Sequence, residues 1–244
     1  MLEGMYTAAA GMAAQQSRLD AVANDLANAS TTGYKRVRMA YRDLAYTEGT
    51  IGGTNALRLG AGAAASMIGR DDREGSAQET GDPLDVLIEG RGFIQVKLDG
   101  KTLLTRDGHL QVDSQGRLAT SDGALVDPPI TFPKGTTPDQ IAIGTDGTVT
   151  AAGKKLGQIR LVNVENPAGL DGGADNRFQA TNVSGAVSAA PRTTVLRQGV
   201  LESSNVDVGD SMADMIDAQR SFELASKAIQ VSDQAMEIAN GVKR

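Results

Sequence analysis

Val208–Val242, VGDSMADMIDAQRSFELASKAIQVSDQAMEIANGV, decides how the rest of the chain is read. Large apolar residues recur in it at every seventh position: Met215, Phe222, Ile229 and Met236. Three residues after each stands a small one, Ala218, Ala225, Ser232 and Ala239. Alternating steps of three and four place both rows on one seam of a helix, and a strict seven-residue period favours a left-handed supercoil. A second apolar row, Ile216, Leu224, Val231 and Ile238, runs beside the seam and widens the apolar face. The helix is expected to start at Asp207, with Asp210 three residues on in the manner of a capping box.

The N-terminal stretch repeats the pattern with Leu2, Met5, Ala9, Met12, Gln16, Leu19, Ala23 and Leu26. Neither stretch contains proline, and at about 1.5 Å per residue the two helices are roughly 40 and 50 Å long. Terminal helices commonly cover the core of their own domain. Here the seam mixes Met and Leu with Ala and Ser, so neighbouring backbones can approach closely. Each buried Met, Leu, Ile or Phe contributes on the order of 1.5–3 kcal/mol, and two faces this wide exceed what one antiparallel pair can cover. The residues expected at an assembly interface are Leu2, Met5, Met12, Leu19 and Leu26 with Met215, Ala218, Phe222, Ala225, Ile229, Ser232, Met236 and Ala239.

After the first helix, Asn28-Ala-Ser-Thr-Thr-Gly33 is a run of turn formers in which Gly33 can take a left-handed conformation and end or redirect the helix. Tyr34–Arg38 leads into Met39–Tyr46, a short arm without a clear period. Glu48–Ser66, EGTIGGTNALRLGAGAAAS, reads either as a flexible linker or as an extended strap that orders against neighbours. Ile51, Leu57 and Leu59 favour the strap.

Gly81 to about Val187 reads as β structure. Asp85–Glu89 and Phe93–Lys97 stand around Gly90-Arg-Gly92, and Leu103–Arg106 and His109–Val112 flank Asp107-Gly108. Arg117–Thr120 follows Ser114-Gln-Gly116. Asp-Gly recurs at Asp99-Gly100, Asp122-Gly123 and Asp146-Gly147, a hairpin signal because both central residues of a tight turn need positive φ. Lys155–Val164 is the longest strand expected, and Thr193–Leu201 is a return strand. The fold class is therefore α+β: long N- and C-terminal helices forming a coiled-coil domain, with an inserted all-β domain. Residues 1–45 with 200–244 form the helical assembly domain, 46–80 a Gly/Ala-rich extended connector, and 81–199 the β-rich domain.

A net charge of −6 and scattered Lys and Arg argue against a nucleic-acid partner. Cysteine is absent, which excludes disulfides and thiol chemistry. Nothing approaches 18 consecutive apolar residues, so no membrane-inserted helix is expected, and MLEGMYTAAAGM lacks the basic start and apolar core of a signal peptide. Aromatic residues total 3%, so stacking platforms for sugars or bases are scarce. His109 is the single histidine, has no Ser or Cys motif beside it, and reads as a satisfied or solvated strand residue. Without cysteine, a zinc site would need carboxylates almost alone. The acids Asp71-Asp72 and Asp171…Asp175 match no calcium-loop spacing. No catalytic, cofactor-binding or metal-ligating residue is assigned, and no cofactor is expected.

Leu19–Arg36, LDAVANDLANASTTGYKR, resembles the N-terminal signature of bacterial flagellar rod and hook proteins. Asp82–Val96 (DPLDVLIEGRGFIQV), Thr105-Arg-Asp-Gly108 and Gly199–Val206 (GVLESSNV) are similar to the family's central and C-terminal motifs. Met215–Ile229 (MIDAQRSFELASKAI) is similar to its terminal helix, so the resemblance covers nearly the whole chain in order. It implies an inner coiled-coil domain made by both terminal helices, an outer β domain, and self-assembly into a hollow helical filament. It further implies export through the flagellar type III apparatus without a cleaved signal, and a place in the periplasm-spanning rod that carries torque from motor to hook. The implied partners are copies of the chain, other rod proteins, the hook protein and the rings around the rod. Within the family, the pairing of MAAQQSRLDAVANDLAN with AQRSFELASKAI looks most like distal rod members. Tyr46–Leu59 is shorter than the insertion those members carry, and a proximal rod member of similar length is the alternative. From other classes, a secreted β-domain adhesin would need one exposed binding face, and a peptidoglycan hydrolase a carboxylate pair in a cleft.

Overall fold

The computed structural model describes residues 2–44, 46–49 and 57–241. Two helices and a set of short strands make an α+β chain that divides into two compact units. One comprises 1–27, 37–68 and 207–244; the other comprises 28–36 and 69–206.

In the first unit, α1 (Leu2–Ala27) packs along α2 (Val208–Gly241), and Arg18 Nη2 meets Asp214 Oδ1 at 2.6 Å. Arg18 lies in the C-terminal half of α1 and Asp214 near the start of α2. The α2 seam stays half-buried through Ile229 and Ser232, so the N-terminal half of α1 must run back along it. The pair is antiparallel. Asp207 caps α2 as expected, its Oδ1 accepting the Asp210 N–H at 3.0 Å.

The arm and connector are more regular than their composition suggests. Val37–Asp43 pairs with Ala63–Arg70, the longest strand among the described residues, and Tyr46–Gly49 pairs antiparallel with Leu57–Gly60. Of the apolar residues that favoured a strap, Ile51 lies outside the described residues. Leu57 and Leu59 are placed as backbone only.

The second unit is a β unit. Its largest sheet runs 171–172, 177–179, 101–105, 93–98, 125–126, 118–120, 110–112, with 161–163 also paired to 93–98. Ile141–Ile143, Thr148–Ala151 and Lys154–Gln158 form a three-stranded sheet. Ile88, Ile94, Val96, Leu118, Val126, Ile130, Val149, Ile159 and Leu196 fill the core between them, each at most 1% exposed. The turn signals at Asp99-Gly100, Asp122-Gly123 and Asp146-Gly147 all join paired strands. Asp99 and Gly100 both have positive φ, 48° and 78°.

Three readings need correction. Asp107-Gly108 is not a hairpin turn, because 101–105 pairs back onto 93–98 while 110–112 pairs with 118–120. Gly108 instead lets the backbone approach the Val86 carbonyl, which any side chain would overlap. Gly90-Arg-Gly92 likewise joins strands of different sheets, since Val86–Glu89 pairs with Val195–Gln198. Lys155–Val164 is broken at Ile159-Arg160, so its two halves serve different sheets.

Candidate assembly interface

Along α2 every seam residue whose side chain is described, Met215, Ala218, Phe222, Ala225, Ile229, Ser232 and Met236, is buried or half-buried, and Ala218 is fully so. The side chains of Leu2 and Ala239 lie outside the described residues. The second apolar row is the exposed one: Ile216, Leu224, Val231 and Ile238 are 47%, 67%, 64% and 69% exposed. Val208 and Met212 extend it towards the start of the helix. The seam is thus occupied within the chain, and the row beside it is left bare.

On α1 the large residues Met5, Met12, Leu19 and Leu26 are half-buried, but the other members of the pattern, Ala9, Gln16 and Ala23, are exposed. Ala14, Val22 and Asp25 are buried instead. The covered face is rotated because it serves both α2 and the paired strands: Asp25 accepts the Val37 N–H at 3.0 Å, and Gly62 lies against Ala10. A seven-residue count along one helix carries no information about that second neighbour.

The sequence motifs also meet at a place that spacing does not reveal. Glu202 is 2% exposed and holds Lys35 Nζ at 2.5 Å and Arg106 Nε at 2.9 Å. It also accepts the Gly75 N–H at 2.9 Å. Arg106 donates further to the carbonyls of Ile88, Gly90 and Gly92. Burial would raise the Glu202 carboxyl, but Arg106 and Lys35 outweigh it and hold the group below its ordinary value. Burial, aided by the charge of Arg106, lowers the Lys35 ammonium against the pull of Glu202. Gly33, expected to stop α1, lies six residues beyond its end and serves this cluster instead. Its φ is 64°, its N–H donates to the Glu202 carbonyl, and a Cβ there would come within 2.7 Å of the Arg106 carbonyl. The nearby Asn205 side chain accepts the Arg36 N–H and donates to the carbonyls of Asp71 and Arg73.

His109 is satisfied, with Nδ1 2.7 Å from the buried Asp85, whose other oxygen accepts the Thr80 hydroxyl. Among the described residues no group of three or more His, Cys, Asp or Glu could hold a metal ion, and no helix is long and apolar enough to cross a membrane.

A helix pair with a bare apolar row and a self-contained β unit is the architecture of a chain made to be one piece of something larger. Three family profiles match: "Flagella basal body rod protein" over residues 5–35, "Flagellar hook protein FlgE/F/G D1 domain" over 87–151, and "Flagellar basal body rod FlgEFG protein C-terminal" over 197–242. Lys35, Arg106 and Glu202 fall one in each matched segment. The chain is 39% identical to the flagellar basal-body rod protein FlgG of Borreliella burgdorferi, covering 100% of both chains. It is 35% identical to that of Bacillus subtilis, again over 100% of both, and 34% to that of Caulobacter vibrioides over 99% of this chain and 100% of the other. The chain belongs to the flagellar basal-body rod protein family.

Proposed function

We propose that this chain is a structural subunit of the flagellar basal-body rod, of the distal type, and that its terminal helices polymerise into a hollow shaft carrying torque from motor to hook. Full-length similarity to FlgG proteins supports the distal over the proximal assignment, and its extension through both helices leaves an adhesin reading unsupported. The partners are other copies, neighbouring rod proteins, the hook protein and the surrounding rings, reached by export through the flagellar type III apparatus. The function requires no catalysis.

The observation that carries the assembly reading is the exposed row Ile216, Leu224, Val231 and Ile238 beside a seam already used in the chain. The seam residues form the in-chain half of the assembly domain, and the exposed row forms the face for other copies. Leu224→Glu tests this. Filament yield in negative-stain images should collapse while the monomer's circular dichroism stays that of the wild type, and Glu223→Gln should assemble normally. Normal filaments from Leu224→Glu would refute the assignment.

A further inference from the structure

Lys35 and Arg106, the two cations that hold Glu202, form part of the wall of a cavity of about 190 Å³ within the β unit. Two buried cations face one buried carboxylate, so the cluster retains one positive charge in the interior. Asp72 and Glu165 also line the cavity and Glu74 lies near it; all three are exposed, and water screens them. A buried charge without a counter-charge is unfavourable.

Donors also remain. Lys35 Nζ uses two hydrogens, on Glu202 and the Arg73 carbonyl, and keeps one. Arg106 uses four of its five. Arg70, also in the wall, donates to the Lys35 carbonyl and lies against two rings, 5.1 Å from the Phe178 centroid and 5.4 Å from that of Tyr34. Arg91 reaches the rim from an exposed position. The wall also has an apolar part, with Phe93 and Phe178 edge-to-face at 5.9 Å and Val164 and Leu170. A cavity of roughly 150 Å³ lined by such groups takes a benzene ring, so this one has room for a ring and a carboxylate.

We propose that this cavity binds a carboxylate carried on a small planar apolar body, with the acid at Arg70, Lys35 and Arg106 and the body against Phe93 and Phe178. The group is supplied by a free carboxylic acid.

Calorimetric titration of the full chain with benzoate tests the site, with the neutral isostere benzamide as control. Benzoate should bind at least about tenfold more tightly than benzamide. Arg70→Gln should remove about the same factor. Arg91→Gln, at an exposed position that cannot disturb folding, should weaken binding by a smaller factor. Equal binding of the two probes, or no binding of benzoate at about ten times a millimolar Kd, would overturn the proposal. Filament growth should be unchanged by saturating benzoate, and slowed growth would overturn the assignment to a free acid by showing that an acidic side chain of a second copy occupies the cavity.

Discussion

The β unit and the helical unit bury apolar residues to different ends. In the β unit twelve large side chains are at most 1% exposed, and Lys35 and Arg106 share the buried Glu202 inside. In the helical unit Ala14, Val22 and Ala218 are the fully buried apolar side chains among the described residues, while α2 alone leaves Val208, Met212, Ile216, Leu224, Val231 and Ile238 exposed. The first unit to fold alone should be the one whose interior is complete. Long helices with a half-covered face depend on packing they do not yet have, since helix propagation by itself is barely favourable.

The sharpest break of this comparison is Glu202→Ala. It leaves Lys35 and Arg106 buried without their carboxylate and should destabilise the β unit by about 3–5 kcal/mol, read as a lower urea midpoint. Next comes a matched pair of truncations. Leu118→Ala, at a fully buried position, should lose about 2–5 kcal/mol, whereas Leu224→Ala should change monomer stability by less than about 0.5 kcal/mol. Equal losses would mean that the bare row is covered within the monomer.

A pH series is subtler. The folded Glu202 carboxyl lies below its ordinary 4.5, so its contribution is complete above that value and is lost as pH falls through the depressed folded one. Lys35 acts with the opposite end of the scale. Its folded value is below 10.5, so stability rises as pH climbs from that value towards 10.5. Glu202→Gln should flatten the acid limb, and an unchanged limb would remove Glu202 from the account. The smallest effect expected is that of His109→Ala. It removes one half-exposed partner of Asp85, which keeps the Thr80 hydroxyl, and should cost at most about 1 kcal/mol in thermal melts while assembly proceeds normally.

What was legible in the sequence follows the range of the forces involved. Both helices, the Asp207 cap and three Asp-Gly hairpins depend on neighbours within a few residues, and all are where the pattern puts them. Asp107-Gly108 carries the same dipeptide but obeys a distant partner, the Val86 backbone, and no local rule distinguishes it. The strand Ala63–Arg70 hid in a Gly/Ala-rich stretch because its order comes from pairing with Val37–Asp43 rather than from its own side chains. Lys35, Arg106 and Glu202 lie far apart in sequence, and no spacing rule brings them together. Their one local signal is that each sits inside a quoted motif, Gly-Tyr-Lys-Arg, Thr-Arg-Asp-Gly and Leu-Glu-Ser-Ser-Asn. The seam is half-buried within the chain, and its neighbour there becomes visible only when α1 is laid along α2.

Glu202 follows Arg106 by 96 residues and Lys35 by 167. Any chain that emerges from its N-terminus therefore displays Lys35 for 167 residues, and Arg106 for 96, before their carboxylate appears. The interior they belong to closes only when the late acid arrives. Until then water is the better host for the two charges, so burial is deferred. Chain order thus becomes a clock, and a nascent chain halted before residue 202 should remain open to proteases and threading machinery alike.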